Sequence, residues 1–395
     1  MMTLLEPETS EYLAIALLGF LAGDVGTLAA REYALARGVL DVPNERSAHS
    51  RPTPRGGGIA IAATVLAGVA LATVAGVVER RLGIGLLGGG LMVAVVGWLD
   101  DHGGLRARTR FCVHLAAALW FLAWIGGYPV LRLGFTEIEL GLAGSVLAAI
   151  GIVWGINFFN FMDGIDGLAG LEAVFVGAVG GAFLIVSGDR PLGLLALLIA
   201  ATSAGFLRWN WSPAVIFMGD VGSTLLGFML CAIAVASANR ELVPMITWGT
   251  LMGVFVFDAT VTVVRRFLQG YPIQVPHREF AFHRAVRLGR SHRRVCLKVL
   301  GLNLVLGILA TVGWAYPGLL VPMALLGVGL LTAVYLYLER RLPMYTGPER
   351  RRSLLGLPEL RRRGDDEGVA VLLGEQGAAP VPAPARREPA LSGRE

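Results

Sequence analysis

The chain has 395 residues, 55% hydrophobic and 16% charged, and its 34 Lys and Arg against 29 Asp and Glu give a net charge of +5. That balance excludes a water-soluble globule and indicates a polytopic membrane protein, while Arg clustered beside apolar runs accounts for the positive charge without a nucleic-acid partner. Cys112, Cys231 and Cys296 lie in or beside apolar segments without metal-ligand spacing, so neither a disulfide framework nor a zinc site is expected.

Apolar runs able to cross a hydrocarbon core of about 30 Å are predicted at 12–30, 58–78, 82–99, 111–125, 141–161, 168–187, 192–207, 221–238, 242–264, 295–315 and 318–338. The first ten residues carry acids and no base, and no small-residue cleavage site follows the run that opens at Tyr12, so that run is expected to stay as a span. The prediction is an all-α membrane bundle of about eleven transmembrane helices over residues 1–340. Residues 341–395, rich in Arg, Glu, Gly, Pro and Ala, are expected to form a disordered cytoplasmic tail, either solvated or lying against anionic headgroups.

Alternating the loops puts the two termini on opposite sides. Of the 34 Lys and Arg, only Arg80, Arg81, Arg132, Arg190 and Arg240 fall on one side, which leaves 29 on the other; without the 11 arginines from Arg340 onward the split is still 18 to five. The positive-inside rule therefore places the C-terminus in the cytoplasm and the N-terminus outside.

Five polar clusters interrupt the apolar chain, and the alternation puts all of them on the cytoplasmic side. The first, PNERSAHSRPTPRGGG (43–58), ends in a Gly-rich turn that is weak as a phosphate loop because it lacks the Lys-Ser/Thr of a P-loop; Arg55 beside it is a phosphate-contact candidate. Asp100 and Asp101 close the third span, where a helix C-terminus disfavours negative charge. They need a cation or Arg106, Arg108 and Arg110, unless that helix end is simply solvated. Asn157, Asn160 and Asp163 share one helix face near the end of the fifth span, and Gly164 and Gly167 free the backbone to present Asp166. Polar groups there must face the protein or a wet cavity, either bonding between helices or forming a site. Asp220, in FMGDVGS, has the ordinary job of an N-cap with Ser223 three residues on. Grouped with the other four acids it becomes an oxygen donor in a set that suits Mg²⁺ better than Zn²⁺. The last cluster, 276–294, holds His277, Arg278, His283, Arg284, Arg287, Arg290, His292, Arg293 and Arg294, a density of guanidinium and imidazole suited to a diphosphate. Two further acids, Asp24 and Asp258, lie inside spans and are expected to be structural, with Asp258 placed two turns before Arg265 to tether its helix.

In this order PNERSAHSRPTPRGGG, the DD pair, NFFNFMDGIDGLAG, MGDVGS and the basic loop resemble the polyprenyl-phosphate N-acetylhexosamine-1-phosphate transferases, over roughly residues 10–340, and the first and last motifs are most similar to the O-antigen-initiating branch. The resemblance implies a cytoplasmic active site in a bacterial inner membrane, Mg²⁺ (or Mn²⁺ in its place), a UDP-N-acetylhexosamine donor and a polyprenyl phosphate acceptor, with a homodimer left open. By position, Asp220 and Asn160 resemble the family's metal ligands, Asp100 and Asp101 its acidic pair, and Asp163 and Asp166 the acids of its nucleotide pocket. Asn210 and Phe217 fall where uracil is held, and Arg110 at a position facing the phosphates. The HxHHR pattern of several relatives appears here as Phe280, Phe282, His283, Arg284, with His277 as a partial substitute, which leaves the sugar undetermined. A transporter of an anionic substrate and a non-catalytic scaffold are the alternatives.

Overall fold

The computed structural model describes residues 7–43, 52–128, 130–271 and 278–344. Residues 345–395 of the predicted tail, His277 and half of the 43–58 motif (44–51) lie outside these residues.

Thirteen α-helices carry the fold: α1 (Pro7–Arg37), α2 (Ile59–Val74), α3 (Arg80–Gly103), α4 (Ala107–Ile125), α5 (Leu142–Met162), α6 (Leu168–Val186), α7 (Arg190–Asn210), α8 (Asp220–Asn239), α9 (Met245–Leu251), α10 (Gly253–Leu268), α11 (Ala281–Arg287), α12 (His292–Ala315) and α13 (Leu320–Arg341). Each of the predicted spans is helical. Eight of the helices are long and apolar enough to cross a membrane, and the pair α9–α10 makes a ninth. The predicted ninth span is thus two helices bent by 82° at Met252. Of the two remaining spans, α2 has only 16 residues, and α4 opens with Arg108 and Arg110 in its first turn. Two small antiparallel pairs, β1 (Leu40–Asp41) with β2 (Thr53–Pro54) and β3 (Val130–Arg132) with β4 (Glu137–Glu139), were not signalled by the hydropathy pattern.

The axis of the bundle is α8, whose apolar stretch is buried throughout. It packs against α3 and α5 and also touches α2, α4, α6 and α7. Lipid supplies no hydrophobic drive between helices, so small residues that allow close backbone approach decide such contacts. Gly97 of α3 is one: a Cβ there would lie 2.7 Å from Val221 Cα and 2.8 Å from Asp220 O.

The intramembrane acids are structural, though one has an unexpected partner. Asp24 accepts from Arg208 Nη1 (2.9 Å) and Trp209 Nε1 (2.8 Å), joining α1 to α7. Asp258 is not tied to Arg265. It accepts from Ala281 N (2.8 Å), Phe282 N (3.4 Å) and Thr262 Oγ1 (3.2 Å), and so caps the start of α11. Arg265 turns to Glu339 of α13 (3.0 and 3.1 Å) and to Tyr335 Oη (2.9 Å). The opposite end of the bundle is closed by its own ion pairs, Arg240 with Asp189 (2.5 Å) and Glu79 (3.3 Å), and Arg132 with Glu137 (2.9 Å) and Glu241 (2.6 Å).

Candidate active site

The corner between α3 and α4 brings acid and base together. Asp100, in the last turn of α3, accepts from Leu105 N and from Arg110 Nη1, and the same nitrogen lies 3.0 Å from Asp220 Oδ2. Arg55 completes the arrangement from the segment before α2, with Nη2 at 2.5 Å from Asp220 Oδ1 and Nε at 2.8 Å from Asp101 Oδ1. The result is an alternating chain, Asp100–Arg110–Asp220–Arg55–Asp101, built from residues up to 165 positions apart. Burial disfavours charge on Arg55, but the carboxylates of Asp220, Asp101, Asp41 and Asp163 outweigh it and hold the guanidinium charged.

Asp101 has a second task that corrects the expected capping. The residue before α8 is Gly219, which has no side chain to cap with, and the first-turn N–H groups of Asp220 (2.8 Å) and Val221 (3.1 Å) donate to Asp101 instead. A carboxylate at a helix N-terminus is favoured by the exposed N–H groups and by the helix dipole. Only glycine fits at 219, because its φ is +78° and a Cβ would lie 2.6 Å from Asp101 Oδ2. With its side chain 1% exposed, Asp101 anchors the site and cannot itself meet a substrate.

The chain of charges opens into a cavity of about 1120 Å³. Arg55, Asp100, Arg108, Arg110, Asn157, Asn160, Asp220 and His283 line its polar part, and Phe111, Ile150, Trp154, Phe161 and Val263 its apolar part. Asn160 Nδ2 donates to Ser223 Oγ (3.2 Å), and Asn157 Nδ2 to Val153 O (2.7 Å). His283 reaches the cavity from α11, its ring held against Gly164, where a Cβ would lie 2.7 Å from Nε2.

Asp163, at the C-terminal end of α5, makes no hydrogen bond through its carboxyl among the described residues. Burial, reinforced by the carboxylates of Asp220, Asp101 and Asp166 and only partly opposed by Arg55, holds it well above the usual carboxylate range. Asp166 is the reverse case. Burial would raise it, but His292 Nδ1 (3.2 Å) and Ala214 N (3.2 Å) overcome that and hold it below the usual range. Asp166 therefore fastens the 163–167 turn to α12.

Several expected site residues do other work. Arg284 is fully buried, donates to Glu339 Oε2 (2.5 Å) and Leu342 O (3.2 Å), and stacks over Tyr335 at 4.7 Å. It holds α11 to α13 and does not line the cavity, even though its Nε and Nη2 are buried without a hydrogen-bond partner among the described residues. Asn210, 3% exposed, donates to Ile216 O (2.9 Å) and accepts from Gly167 N (2.9 Å), so its carboxamide is a fastener between two turns. Phe217 is half-buried beside Arg55, and neither it nor Arg278 lines the cavity. The Gly-rich turn does not cradle phosphate either: Gly56 N (3.1 Å) and Gly57 N (2.9 Å) donate to Phe217 O, and Gly58 N (2.9 Å) to Met218 O. These bonds carry Arg55 to the start of α8. Arg108, Asn157 and Trp154 belong to the cavity as well, which the sequence signalled only through a shared helix face and a cationic first turn.

Among the described residues no three His, Cys, Asp or Glu side chains form a ready cation cage. The donors still fit Mg²⁺, which is commonly held by one or two carboxylates with water and substrate phosphate completing its shell. Among the described residues the Asp163 carboxyl makes no hydrogen bond, and the Asn160 carboxamide oxygen accepts none.

The sequence model of glycosyl transferase family 4 matches residues 83–238, the stretch that carries every one of these acids. The chain is 31% identical to a probable undecaprenyl-phosphate N-acetylglucosaminyl 1-phosphate transferase of Bacillus subtilis, covering 71% of this chain and 79% of that protein. It is 33% identical to a decaprenyl-phosphate N-acetylglucosaminephosphotransferase of Mycobacterium leprae (71% and 77% covered). An undecaprenyl-phosphate alpha-N-acetylglucosaminyl 1-phosphate transferase of Yersinia pestis is 29% identical (72% and 78%). A multi-pass membrane phosphotransferase is the class that bundle, site and relatives define together. Within it, the chain belongs to glycosyl transferase family 4, the polyprenyl-phosphate N-acetylhexosamine-1-phosphate transferases.

Proposed function

We propose that this protein transfers an N-acetylhexosamine 1-phosphate group from a UDP-sugar to polyprenyl phosphate, yielding polyprenyl-diphospho-sugar and UMP, at the cytoplasmic face of a bacterial inner membrane. The observation that carries this reading is the Asp–Arg–Asp–Arg–Asp chain at the polar part of a cavity whose other part is apolar, so that phosphate chemistry and a lipid tail have adjoining places. N-acetylglucosamine is the first sugar to test, because the relatives from three organisms are named for it.

Arg55 and Arg110 line the cavity that a diphosphate would enter, and guanidiniums bind phosphate oxygens in bidentate fashion. As they move from Asp220 to phosphate they free that carboxylate, which with Asn160, and with Asp163 beside them, would hold Mg²⁺. When bound, the ion neutralises charge that builds on the transferring phosphoryl group. His283 adds a donor on the opposite wall, and Asp100, the member of the acidic pair that lines the cavity, orients the acceptor phosphate or takes its remaining proton. An acceptor phosphate oxygen attacks the β-phosphorus, the bond from that phosphorus to the bridging oxygen breaks, and the bridging oxygen leaves with UMP. The burial of Asp101 argues against a covalent aspartyl-phosphate there. A transporter would hold its acids near the bilayer midplane, whereas these sit at the ends of α3, α5 and α8.

The test is UMP release by the purified full chain with polyprenyl phosphate, Mg²⁺ and a panel of UDP-sugars. Release with UDP-N-acetylglucosamine, and its loss in a folded Asp220→Ala variant, is expected. No UMP with any sugar would overturn the reaction, and full activity in Asp220→Ala would overturn the site.

A further inference from the structure

Behind α11 lies a second cavity of about 390 Å³ that shares no lining residue with the first. The two stand back to back across one thin wall: Phe161, Phe280 and His283 face the catalytic cavity, while their chain neighbours Met162, Ala281 and Phe282 face the second. The rest of its lining is an apolar slot between α10, α12 and α13, with Val254, Leu302 and Leu331 among its walls. Its volume is within the range of about 300–1,000 Å³ usual for ligand pockets.

Two cations also line the slot. Arg290 precedes α12, and Lys298, the only lysine in the chain, lies about 9 Å along that helix at 1.5 Å per residue. Neither has a carboxylate partner among the described residues. Asp258 borders the slot too, but its oxygens are engaged by Ala281 N, Phe282 N and Thr262. An ammonium on a membrane helix is costly unless it reaches the interface or meets an anion. An apolar slot with unpaired cations beside it, on helices that face lipid, has the complement of an anionic phospholipid.

We propose that this slot is a binding site for one anionic membrane phospholipid, with an acyl chain between α10, α12 and α13 and the headgroup phosphate at Arg290 and Lys298. The bound chain backs Ala281 and Phe282, and so supports the wall that carries His283 without entering the catalytic cavity. The site is independent of the transferase reading, since its readout is lipid retention.

Native mass spectrometry of the delipidated full chain, titrated with phosphatidylglycerol or phosphatidylcholine in detergent, tests it. Retention of one phosphatidylglycerol in preference to phosphatidylcholine is expected. Lys298→Gln should reduce that preference about fivefold, the worth of one basic residue at an anionic surface. Gly301→Leu places a side chain in the slot, where a Cβ meets nothing within 4 Å, and should cut retention of both lipids about tenfold or more, with gel filtration confirming fold. Equal binding of the two lipids, or wild-type retention in both variants, would overturn the proposal. So would one-for-one displacement by polyprenyl phosphate, which would make the slot part of the acceptor's route.

Discussion

Asp100 and Asp101 are neighbours at one helix end, so their side chains leave the α3 axis about 100° apart. One points to Arg110 and the cavity, the other to the N–H groups that begin α8. Their substitutions should therefore fail differently. Asp100→Asn should lower kcat/KM by about 10²–10⁴-fold, the range for a positioned acid or base, with little change in melting temperature. Asp101→Asn should cost about 1–3 kcal/mol of stability through a weakened buried carboxylate contact, read as a lower melting temperature. Asp163 adds a pH dependence. Its carboxyl is raised, so it contributes stability below its unfolded value and loses it as pH climbs through the folded value, whereas the proposed Mg²⁺ binding would need it deprotonated. Mg²⁺ affinity should thus rise with pH above the ordinary carboxylate range, and Asp163→Asn should flatten that rise in titrations followed by calorimetry. The types and approximate places of these acids were legible in the chain, because carboxylates at span ends are expensive. Which aspartate caps α8 was not, since Asp101 reaches it from 119 residues away. For the same reason Arg284 read as a phosphate ligand: its partner, Glu339, lies in another helix.

Among the helices, α8 tolerates least, because the site depends on where its first turn sits. Gly97→Val should force α3 from α8, its Cβ meeting Asp220 and Val221 backbone at 2.7–2.8 Å, and abolish UMP release while the helix content seen by circular dichroism persists. Arg284→Met should leave α11 loosely held. The cost should be at the low end of roughly 3–5 kcal/mol, since Arg265 still pairs with Glu339, and a drop in melting temperature should accompany it. Span positions were legible from length and apolarity. The break at Met252 was not, because both halves are apolar and the single glycines that flank it, Gly249 and Gly253, are common in membrane helices. The helix α11 was hidden for a different reason: at seven residues it is too short for the Phe282, Ala285, Val286 spacing to stand out, and Asp258 supplies its cap from a distance.

The whole bundle has one end rich in cations and the other closed by a few local ion pairs, an asymmetry the sequence displays directly through its arginine count. It also sets a test of orientation. In a cysteine-free background, Glu137→Cys should react with an impermeant thiol reagent added to intact cells, and Arg293→Cys only after lysis. The reverse pattern would turn the catalytic cavity to the outside. Less of this level could be foreseen in the partition of the interior into two cavities. That division depends on one short segment, in which Phe280 and His283 face one cavity and Ala281 and Phe282 between them face the other.

The alternating Asp–Arg chain sets the order in which reactants can arrive. In the proposed reaction Arg55 and Arg110 must leave their carboxylates to grip a phosphate, so a bare pyrophosphate that takes them strands Asp220 as an unpaired buried carboxylate, which is a barrier to entry. Entry as a neutral salt with its divalent counterion removes that barrier. Saturation curves should then follow the concentration of the complexed donor, and excess uncomplexed donor should act only as a weak competitor.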